Sequence, residues 1–329
     1  MSIGKQALCH DSSSASQHEI IAASNTLKNI FMILVAGSAN LDFVVRAHHI
    51  PAPGETVLGQ AFHTYPGGKG ANQAVACAKA GGAATHMLLA VGRDRHAEPL
   101  LASLQTAGVA LHTVLAQEEP TGCAFICVAD SAENAITVAP GANLTLAAQH
   151  LPDLAGFSHL LMQLETPLPS VTSYALAAKA QGVNVVLNAA PAQALPAELL
   201  AAVDVLIVNE GELAALVPEP GDLRANLAQL DVPCVVVTLG PRGCAARLGQ
   251  QVFHQAAYPV NAVDTTGAGD TFCGMLVAAL DRGDKLTQAM RYASAAAALA
   301  CTEPGAQSSI PSAQAVDAFL AMQNDGRLS

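Results

Sequence analysis

Short apolar runs alternate with longer helical patterns along the chain from residue 31 onward. Six runs are apolar almost without interruption, which is typical of parallel strands buried on both faces. They are FMILVAG (31–37), THMLLAVG (85–92), HLLMQLE (159–165), VNVVLN (183–188), DVLIVNE (204–210) and CVVVTLG (234–240). Ala-rich segments between them favour helices, among them 71–80, 168–181 and 223–230. The pattern predicts an α/β fold, a three-layer α/β/α sandwich with a mainly parallel central sheet.

Two stretches interrupt this alternation. Residues 41–66 and 120–140 are richer in β-branched and turn-forming residues, and the second contains the turn-like sequence DSAEN. If they pair in one small sheet, they form a lid over the mouth of the α/β body. The alternative is two unrelated surface hairpins. Residues 1–30 are polar and show no such pattern, so we expect a mobile N-terminal tail followed by one domain over residues 31–329.

Composition narrows the classes of function. The 329 residues are 51% apolar and carry a formal net charge of −11, which argues against a surface that binds nucleic acid. No apolar run reaches the roughly 18 residues that a membrane span needs, and the N-terminus lacks the pattern of a secretory signal. None of the eight cysteines forms a Cys-x-x-Cys pair, so reduced thiols are expected. We therefore expect a cytoplasmic protein without a membrane or nucleic-acid partner.

The segment DTTGAGDTF (264–272), which precedes a helical pattern, carries the most chemical information. Gly267, Ala268 and Gly269 leave backbone N–H groups accessible at a helix N-terminus, where the helix dipole favours an anion. Asp270 follows in the first turn, within reach of a proton on an incoming hydroxyl. One interpretation is a pocket for a phosphoryl group in transfer. A Gly-rich turn with an Asp that stabilises the helix start explains these residues equally well.

A second Gly-rich segment, YPGGKGANQ (65–73), also stands before a helical pattern. Gly67 and Gly68 permit close approach of a ligand to the backbone, and Lys69 and Asn72 can donate to hydroxyl oxygens. The segment lacks the glycine spacing and the Ser or Thr of a Walker A loop.

Further polar residues follow the apolar runs. Asn40 and Asp42 come after the first run, Glu165 ends another, and Asn209 and Glu212 end a third. In an open α/β sheet the carboxyl ends of parallel strands share one edge, and ligands bind there. Each residue alone is also explained as a cap or a turn residue, but together they predict a polar site at this edge.

Taken together and in this order, the segments resemble the ribokinase family of carbohydrate and nucleoside kinases. The similarity runs from about residue 31 to 320, and PGGKGANQAVA, MQLETP and AVDTTGAGDTF carry it. It implies ATP-dependent phosphorylation of D-ribose at the 5-hydroxyl, with Asp270 as catalytic base and Gly267, Ala268 and Gly269 as anion hole. It also implies sugar-binding residues, namely Asn40, Asp42, Gly68, Lys69, Asn72, Glu165 and Asp270.

The resemblance also implies a nucleotide site, two cations and a homodimer joined through the lids. ATP would contact Asn209, Thr238, Leu239, Gly240, Pro241, Arg242, Gly243, Gly269, Asp270 and Ser294. Mg²⁺ would be organised by Asn209 and Glu212, mainly through water. A monovalent cation, K⁺, would bind Asp264, Thr266, Ala300, Glu303, Gly305 and Ser309, several through carbonyls. The chain departs from the family's pattern at Glu303–Pro304, where a basic pair is usual, and at 188–192, where NAAPA replaces NPAPA.

Other functions remain open from the sequence. Deoxyribose, fructose or adenosine is the alternative acceptor, although Asn40 and Asp42 favour a sugar with vicinal hydroxyls. A catalytically silent sugar-binding regulator is expected to lose the base or the anion hole, and both are present. A dinucleotide oxidoreductase is disfavoured because GSANLD, rather than Gly-x-Gly-x-x-Gly, follows the first apolar run.

Overall fold

The computed structural model describes Met1 and residues 32–131, 133–219 and 221–325. The predicted tail over residues 1–30 lies, apart from Met1, outside this range and stays a prediction. The described strands are β1 (Met32–Ala36), β2 (Asn40–Ala47), β3 (Ala61–Gly67), β4 (Thr85–Val91), β5 (Ala110–Leu115), β6 (Cys123–Ala129), β7 (Asn134–Ala139), β8 (Phe157–Met162), β9 (Asn184–Asn188), β10 (Val205–Asn209), β11 (Cys234–Thr238), β12 (Cys244–Leu248) and β13 (Gln251–Gln255).

Nine α-helices lie within the described residues. They are α1 (Lys69–Lys79), α2 (Ala97–Thr106), α3 (Leu168–Ala180), α4 (Ala197–Ala202), α5 (Glu210–Leu216), α6 (Leu223–Gln229), α7 (Ala268–Asp281), α8 (Leu286–Ala300) and α9 (Ala313–Asp325). Short 3-10 helices cover Gly141–Thr145, Ala148–His150 and Gly240–Arg242. Within the described ranges, no helix is both long enough and apolar enough to span a membrane.

The central sheet has the strand order β13-β12-β11-β10-β9-β8-β1-β4-β5. The run from β11 to β5 is parallel, and β12 and β13 extend it as antiparallel strands. Helices cover both faces, so alternate side chains of one strand enter different cores: Ile33 and Val35 face one, and Leu34 and Ala36 the other. Burial on both faces explains the uninterrupted apolar runs. The predicted mainly parallel α/β sandwich is confirmed.

The expected lid segments form a separate four-stranded sheet with the order β3-β2-β6-β7. Its central pair, β2 and β6, is parallel although the two strands are far apart in sequence, and hairpin partners flank it on each side. The two segments therefore pair with each other, as predicted, and are not independent hairpins.

Glycines allow α1 to lie unusually close to its neighbours. A Cβ on Gly70 would lie 2.6 Å from the backbone of Gly37 and Ser38, behind β1. A Cβ on Gly274 of α7 would lie 2.5 Å from the carbonyl oxygen of Gln73. Because these contacts involve backbone atoms, larger residues would separate α1 from β1 and from α7. This packing brings the N-termini of α1 and α7, which carry the two Gly-rich motifs, to the same edge of the sheet.

Candidate active site

The carboxyl edge of the parallel strands collects the predicted polar residues. Residues 37–40 follow β1, Glu165 follows β8, and Asn209 ends β10. The predicted strand over 159–165 ends earlier, at Met162, so that residues 163–165 leave the sheet and face this edge. The Ser38 hydroxyl donates to Glu165 Oε2 at 2.5 Å, and the backbone N–H of Lys69 donates to the same oxygen at 3.2 Å. These bonds join β1, β8 and α1 at one point.

Asn40 and Asp42 are among the first residues of β2, where the small four-stranded sheet begins. Asn40 is buried, and its Oδ1 accepts a hydrogen bond of 2.8 Å from Asn143 Nδ2. The Gly67 backbone lies so near the Asp42 carboxyl that a Cβ on Gly67 would be 2.1 Å from Oδ2. Gly68, with φ +89°, has no room for a side chain because a Cβ would lie 2.8 Å from the Asn40 nitrogen. Both glycines therefore allow close packing of the backbone against Asn40 and Asp42, and the predicted approach of a ligand to them stays a prediction.

Asp270 stands in the first turn of α7 with each carboxylate oxygen held by an amide of α1. Asn72 Nδ2 donates to Oδ2 at 2.9 Å, and Gln73 Nε2 donates to Oδ1 at 2.9 Å. The other amide atom of Asn72, Oδ1, is buried and has no hydrogen-bond partner among the described residues. An acceptor in this state is suited to a ligand hydroxyl.

Four carboxylates and one ammonium group interact at the site, and the pKa values of Asp42, Asp270 and Lys69 are shifted. Burial, reinforced by the negative charges of Glu165 and Asp270, raises the pKa of Asp42 from 3.8 to about 7. Burial also raises the pKa of Asp270, although Lys69 and the two amide donors oppose it. Burial lowers the pKa of Lys69, but the charges of Asp270, Glu165 and Glu212 outweigh it, so its pKa is raised overall. Lys69 is therefore a stable cation among acids.

Within the Gly-rich segment, Gly267 adopts a left-handed conformation at the helix start. Gly267 is the N-cap of α7 with φ +74°, and a Cβ there would lie 2.9 Å from Ala306 Cα. The Ala268 N–H donates to the Thr265 carbonyl at 3.2 Å. Within the described residues the N–H groups of Gly269 and Asp270 have no acceptor, and nothing lies within 4 Å of a Cβ built on Gly269. The helix start thus presents free donors to open space.

Two cavities meet at this helix start. The smaller one, of about 170 Å³, is polar and contains Lys69, Asn209, Glu212 and Asp270 in its lining. The larger one, of about 590 Å³, is mainly apolar, and Tyr258, Val260, Phe272, Ser294 and Ala298 are among its lining residues. Thr238 and Gly269 belong to both cavities. One extended ligand with a charged end and a flat apolar end would fit such a pair.

The predicted nucleotide residues do not all line the cavities. Gly240, Pro241 and Gly243 line the larger one. Leu239 is buried in the core that contains Val208 and Val237, and the exposed Arg242 forms an ion pair with Glu210. Neither Leu239 nor Arg242 is among the lining residues.

Asn209 and Glu212 cap the short helix α5 reciprocally. The Glu212 N–H donates to Asn209 Oδ1 and the Asn209 N–H donates to Glu212 Oε2, each at 2.8 Å. Burial raises the pKa of Glu212, and the hydrogen bond from Asn209 and the charge of Lys69 oppose this shift. The capping box directs both side chains toward the polar cavity. Within the described residues, no group of three or more His, Cys, Asp or Glu side chains could hold a metal ion.

Five of the six predicted cation residues lie on two loops that contact each other, and the sixth, Ala300, ends helix α8. Asp264 accepts hydrogen bonds of 2.9 Å from the N–H groups of Thr266 and Gly305. Burial raises the Asp264 pKa, but these hydrogen bonds outweigh it, so the pKa is lowered and the carboxylate stays charged. The carbonyl oxygens of Thr266, Gly305 and Ser309 accept no hydrogen bond from the residues that the structure describes. Unpaired carbonyls beside a carboxylate fit a monovalent cation.

Sequence analysis missed four buried amides next to the site: Gln73, Asn143, Gln163 and Asn188. Gln73, Gln163 and Asn188 stand inside motifs already singled out, GGKGANQ, MQLETP and NAAPA. Their signal is a long polar side chain inside an otherwise apolar buried segment. Such a group is retained only where it finds hydrogen-bond partners.

Comparisons with known proteins find related carbohydrate kinases. A family profile described as pfkB family carbohydrate kinase matches residues 31–313. The chain is 40% identical over 301 residues to a ribokinase from Haemophilus influenzae, covering 88% of this chain and 98% of the relative. It is similar to the structure of a Thermotoga maritima ribokinase, with a TM-score of 0.82, 34% identity and coverage of 89% and 99%. It is also similar to the structure of Arabidopsis thaliana ribokinase complexed with ribose and ATP. That match has a TM-score of 0.81 and 32% identity, and it covers 88% of this chain and 98% of the other.

Proposed function

Because the chain belongs to the pfkB family of carbohydrate kinases, we propose that it phosphorylates D-ribose at the 5-hydroxyl, using ATP and releasing ADP and D-ribose 5-phosphate. The relatives named ribokinase support this substrate, and one of them was solved with ribose and ATP. The observation that carries the proposal is the position of Asp270. Its carboxylate is held by two amides beside a polar cavity and free helix N–H groups.

Asp270 acts as general base in a direct in-line transfer without a covalent enzyme intermediate. It takes the proton of the 5-hydroxyl while that oxygen bonds to the γ-phosphorus and the bond to the β-phosphate oxygen breaks. The helix start at Gly267, Ala268 and Gly269 stabilises the charge on the transferring phosphoryl oxygens. The free N–H group of Gly269 supports this role, whereas the Ala268 N–H is already bonded to Thr265 and contributes less.

The sugar lies between Asp42, Asn72 and Asp270, with Asn40, Gly68, Lys69 and Glu165 completing the site. Asp42 binds two neighbouring hydroxyls, because a carboxylate accepts on both oxygens. The buried, unpaired Oδ1 of Asn72 accepts a further hydroxyl, which satisfies a polar atom that is otherwise costly to bury.

ATP spans the two cavities. Its phosphates lie in the polar cavity near Asn209, Thr238 and Gly269, and its adenine lies in the apolar cavity between residues 240–243 and Ser294. Leu239 and Arg242 then contribute through the backbone of the loop, because neither side chain lines a cavity.

Two cations fit residues of the chain. Asn209 and Glu212 would hold Mg²⁺, mainly through water, because they are too few for a complete protein shell. Bound there, the ion would neutralise phosphate charge. The loops that carry Asp264, Thr266, Ala300, Glu303, Gly305 and Ser309 would hold K⁺ through the Asp264 carboxylate and carbonyl oxygens. That contact would stiffen the segment leading to Gly267.

The small sheet acts as the lid and as the dimer interface of a cytoplasmic enzyme. It exposes apolar side chains that include Phe62, Phe125, Ile136 and Val138. Such an apolar surface favours pairing with a second copy. All seven cysteines that the structure describes are unpaired, consistent with a reducing compartment.

The test is a coupled ADP-release assay with ATP and Mg²⁺ on ribose, 2-deoxyribose, fructose and adenosine, in K⁺ and again in Na⁺. We expect ribose to give the highest kcat/KM and K⁺ to raise the rate. A preference for adenosine would overturn the ribose assignment while leaving Asp270 as the base. ADP release independent of every acceptor would overturn the proposed sugar kinase.

A further inference from the structure

A network of buried amides lies directly behind Asp270. Gln73 is 0% exposed, Gln163 1% and Asn188 8%. The Gln73 Nε2 group donates one hydrogen to Asp270 Oδ1 at 2.9 Å and one to Asn188 Oδ1 at 3.0 Å. The Gln73 Oε1 atom accepts from Gln163 Nε2 at 2.6 Å. Both hydrogens of the Gln73 amide and its oxygen are therefore engaged.

Hydrogen bonding determines the orientation of every amide in this network. Asn188 Nδ2 donates at 3.1 Å to the carbonyl oxygen of Ile207, which can only accept. The opposite atom of Asn188, Oδ1, must then face Gln73 and requires a donor there. Gln73 therefore turns its NH₂ group toward Asn188 and Asp270, and its oxygen toward Gln163. A flipped Gln73 would place its oxygen against the Asp270 carboxylate and against Asn188 Oδ1.

The backbone is shaped to admit these side chains. A Cβ on Gly37 would lie 2.0 Å from Gln163 Oε1, so only glycine leaves space for Gln163. Gly274 brings α7 against α1 at Gln73, as described above. Gln73 is thus held from the ends of two strands, by Gln163 after β8 and by Asn188 in β9, and the Ile207 carbonyl of β10 holds Asn188. Through Gln73 these groups determine the position of Asp270 Oδ1.

We propose that Gln73 is a positioning residue for the catalytic base, and that Gln163 and Asn188 orient Gln73 so that it always donates to Asp270 Oδ1. This inference rests on the proposed role of Asp270. The bond holds the carboxylate at one rotamer and stabilises its ionised form. Asn72 holds the other oxygen but is also proposed to face the sugar, so that Gln73 is, among the described residues, the donor to Asp270 that does not depend on substrate.

The first experiment measures the pKa of Asp270 without substrate, by titrating the ¹³Cγ resonances of the full-length protein labelled at aspartate. The resonance is assigned by its absence in Asp270→Asn. In Gln73→Met, which keeps the length of the side chain and removes the donor, we expect the pKa to rise by about one unit. Because no turnover is involved, this result stands even if ribose is the wrong acceptor.

The second experiment follows kcat against pH at saturating concentrations of the sugar that proves active, so that the effect of Asp42 on sugar affinity does not enter the profile. Gln73→Met should lower kcat about 10- to 100-fold and move the acid limb upward by the same shift as the resonance. Gln163→Met, which removes the donor to Gln73 Oε1, should change both quantities in the same direction but less, and should add little to Gln73→Met.

The control is Asn226→Leu, which removes a buried amide in α6 whose Oδ1 accepts the Gly221 N–H at 2.6 Å. It should lower the melting temperature without changing the pKa of the Asp270 resonance or the pKa of the acid limb. An unchanged Asp270 resonance in Gln73→Met would overturn the inference, as would a pH profile that moves equally in Asn226→Leu. If Gln73→Met fails to fold, Gln163→Met decides, and an unshifted Asp270 in that variant would equally overturn the inference.

Discussion

The polar and apolar cavities share Thr238 and Gly269 but are built in different ways. Residues at strand ends and in the first turns of α1, α5 and α7 line the polar cavity. Two of them, Asn209 and Glu212, hold each other by hydrogen bonds. The apolar cavity is lined by Gly240, Pro241 and Gly243, by the loop residues 257–260 and Ala262, and by small residues of α8 such as Ala297 and Ala298. A reacting group needs rigid placement, whereas a flat ring needs volume and an apolar surface.

Substitution of Asp270 should have the largest effect, because it should lower catalysis while leaving ATP binding unchanged. Asp270→Ala removes the base and is expected to lower kcat by a factor of about 10² to 10⁴. The apolar cavity is untouched, so the ATP dissociation constant should stay within about threefold, as measured by calorimetry. Asp281→Ala, at the far end of the same helix, is the control for helix stability. A kcat within tenfold of wild type would remove Asp270 from its proposed role.

Asp42 should make sugar binding, but not nucleotide binding, depend on pH. With a pKa of about 7, Asp42 is protonated at pH 6 and ionised at pH 8. Only the ionised form accepts from two hydroxyls, so ribose affinity should rise about tenfold between these pH values. Asp42→Asn should bind more weakly and show a flat profile. Calorimetry in the absence of ATP checks this, and a wild-type affinity that falls with rising pH would contradict it.

The sequence predicted the parts of the site that depend on local chemistry. Asp270 lies in the first turn of its helix, which begins directly after the Gly-rich turn, as the motif indicated. The network behind Asp270 was not predictable, because its bonds join Gln73 to residues 90, 115 and 197 positions away. The antiparallel strands β12 and β13 were missed because their apolar residues are interrupted by Arg247, Gln251 and His254. Local preference determines turns, whereas distant amide pairs depend on the completed fold.

Filling the apolar cavity should weaken nucleotide binding and leave sugar binding unchanged. Ala298→Leu adds three carbon atoms to its wall, and overpacking of this kind should raise the KM for ATP about tenfold. The KM for ribose and the pH profile should stay unchanged, because the polar cavity is intact. Ala201→Leu, at an exposed position of α4, is the matched control. An equal rise in both KM values would mean that the cavities are not independent.

Arg242 offers the smallest and sharpest test of the boundary between the cavities. The family resemblance places it at the nucleotide, yet its guanidinium pairs with Glu210 at the surface and lines neither cavity. Exposed ion pairs contribute little, so Arg242→Ala should change the KM for ATP by less than about twofold at physiological salt. Glu210→Ala, which releases the guanidinium, should be equally silent. If Arg242→Ala raises the KM for ATP tenfold and Glu210→Ala lowers it, the side chain leaves Glu210 to bind phosphate, and the polar cavity extends to the β11 loop when nucleotide is bound.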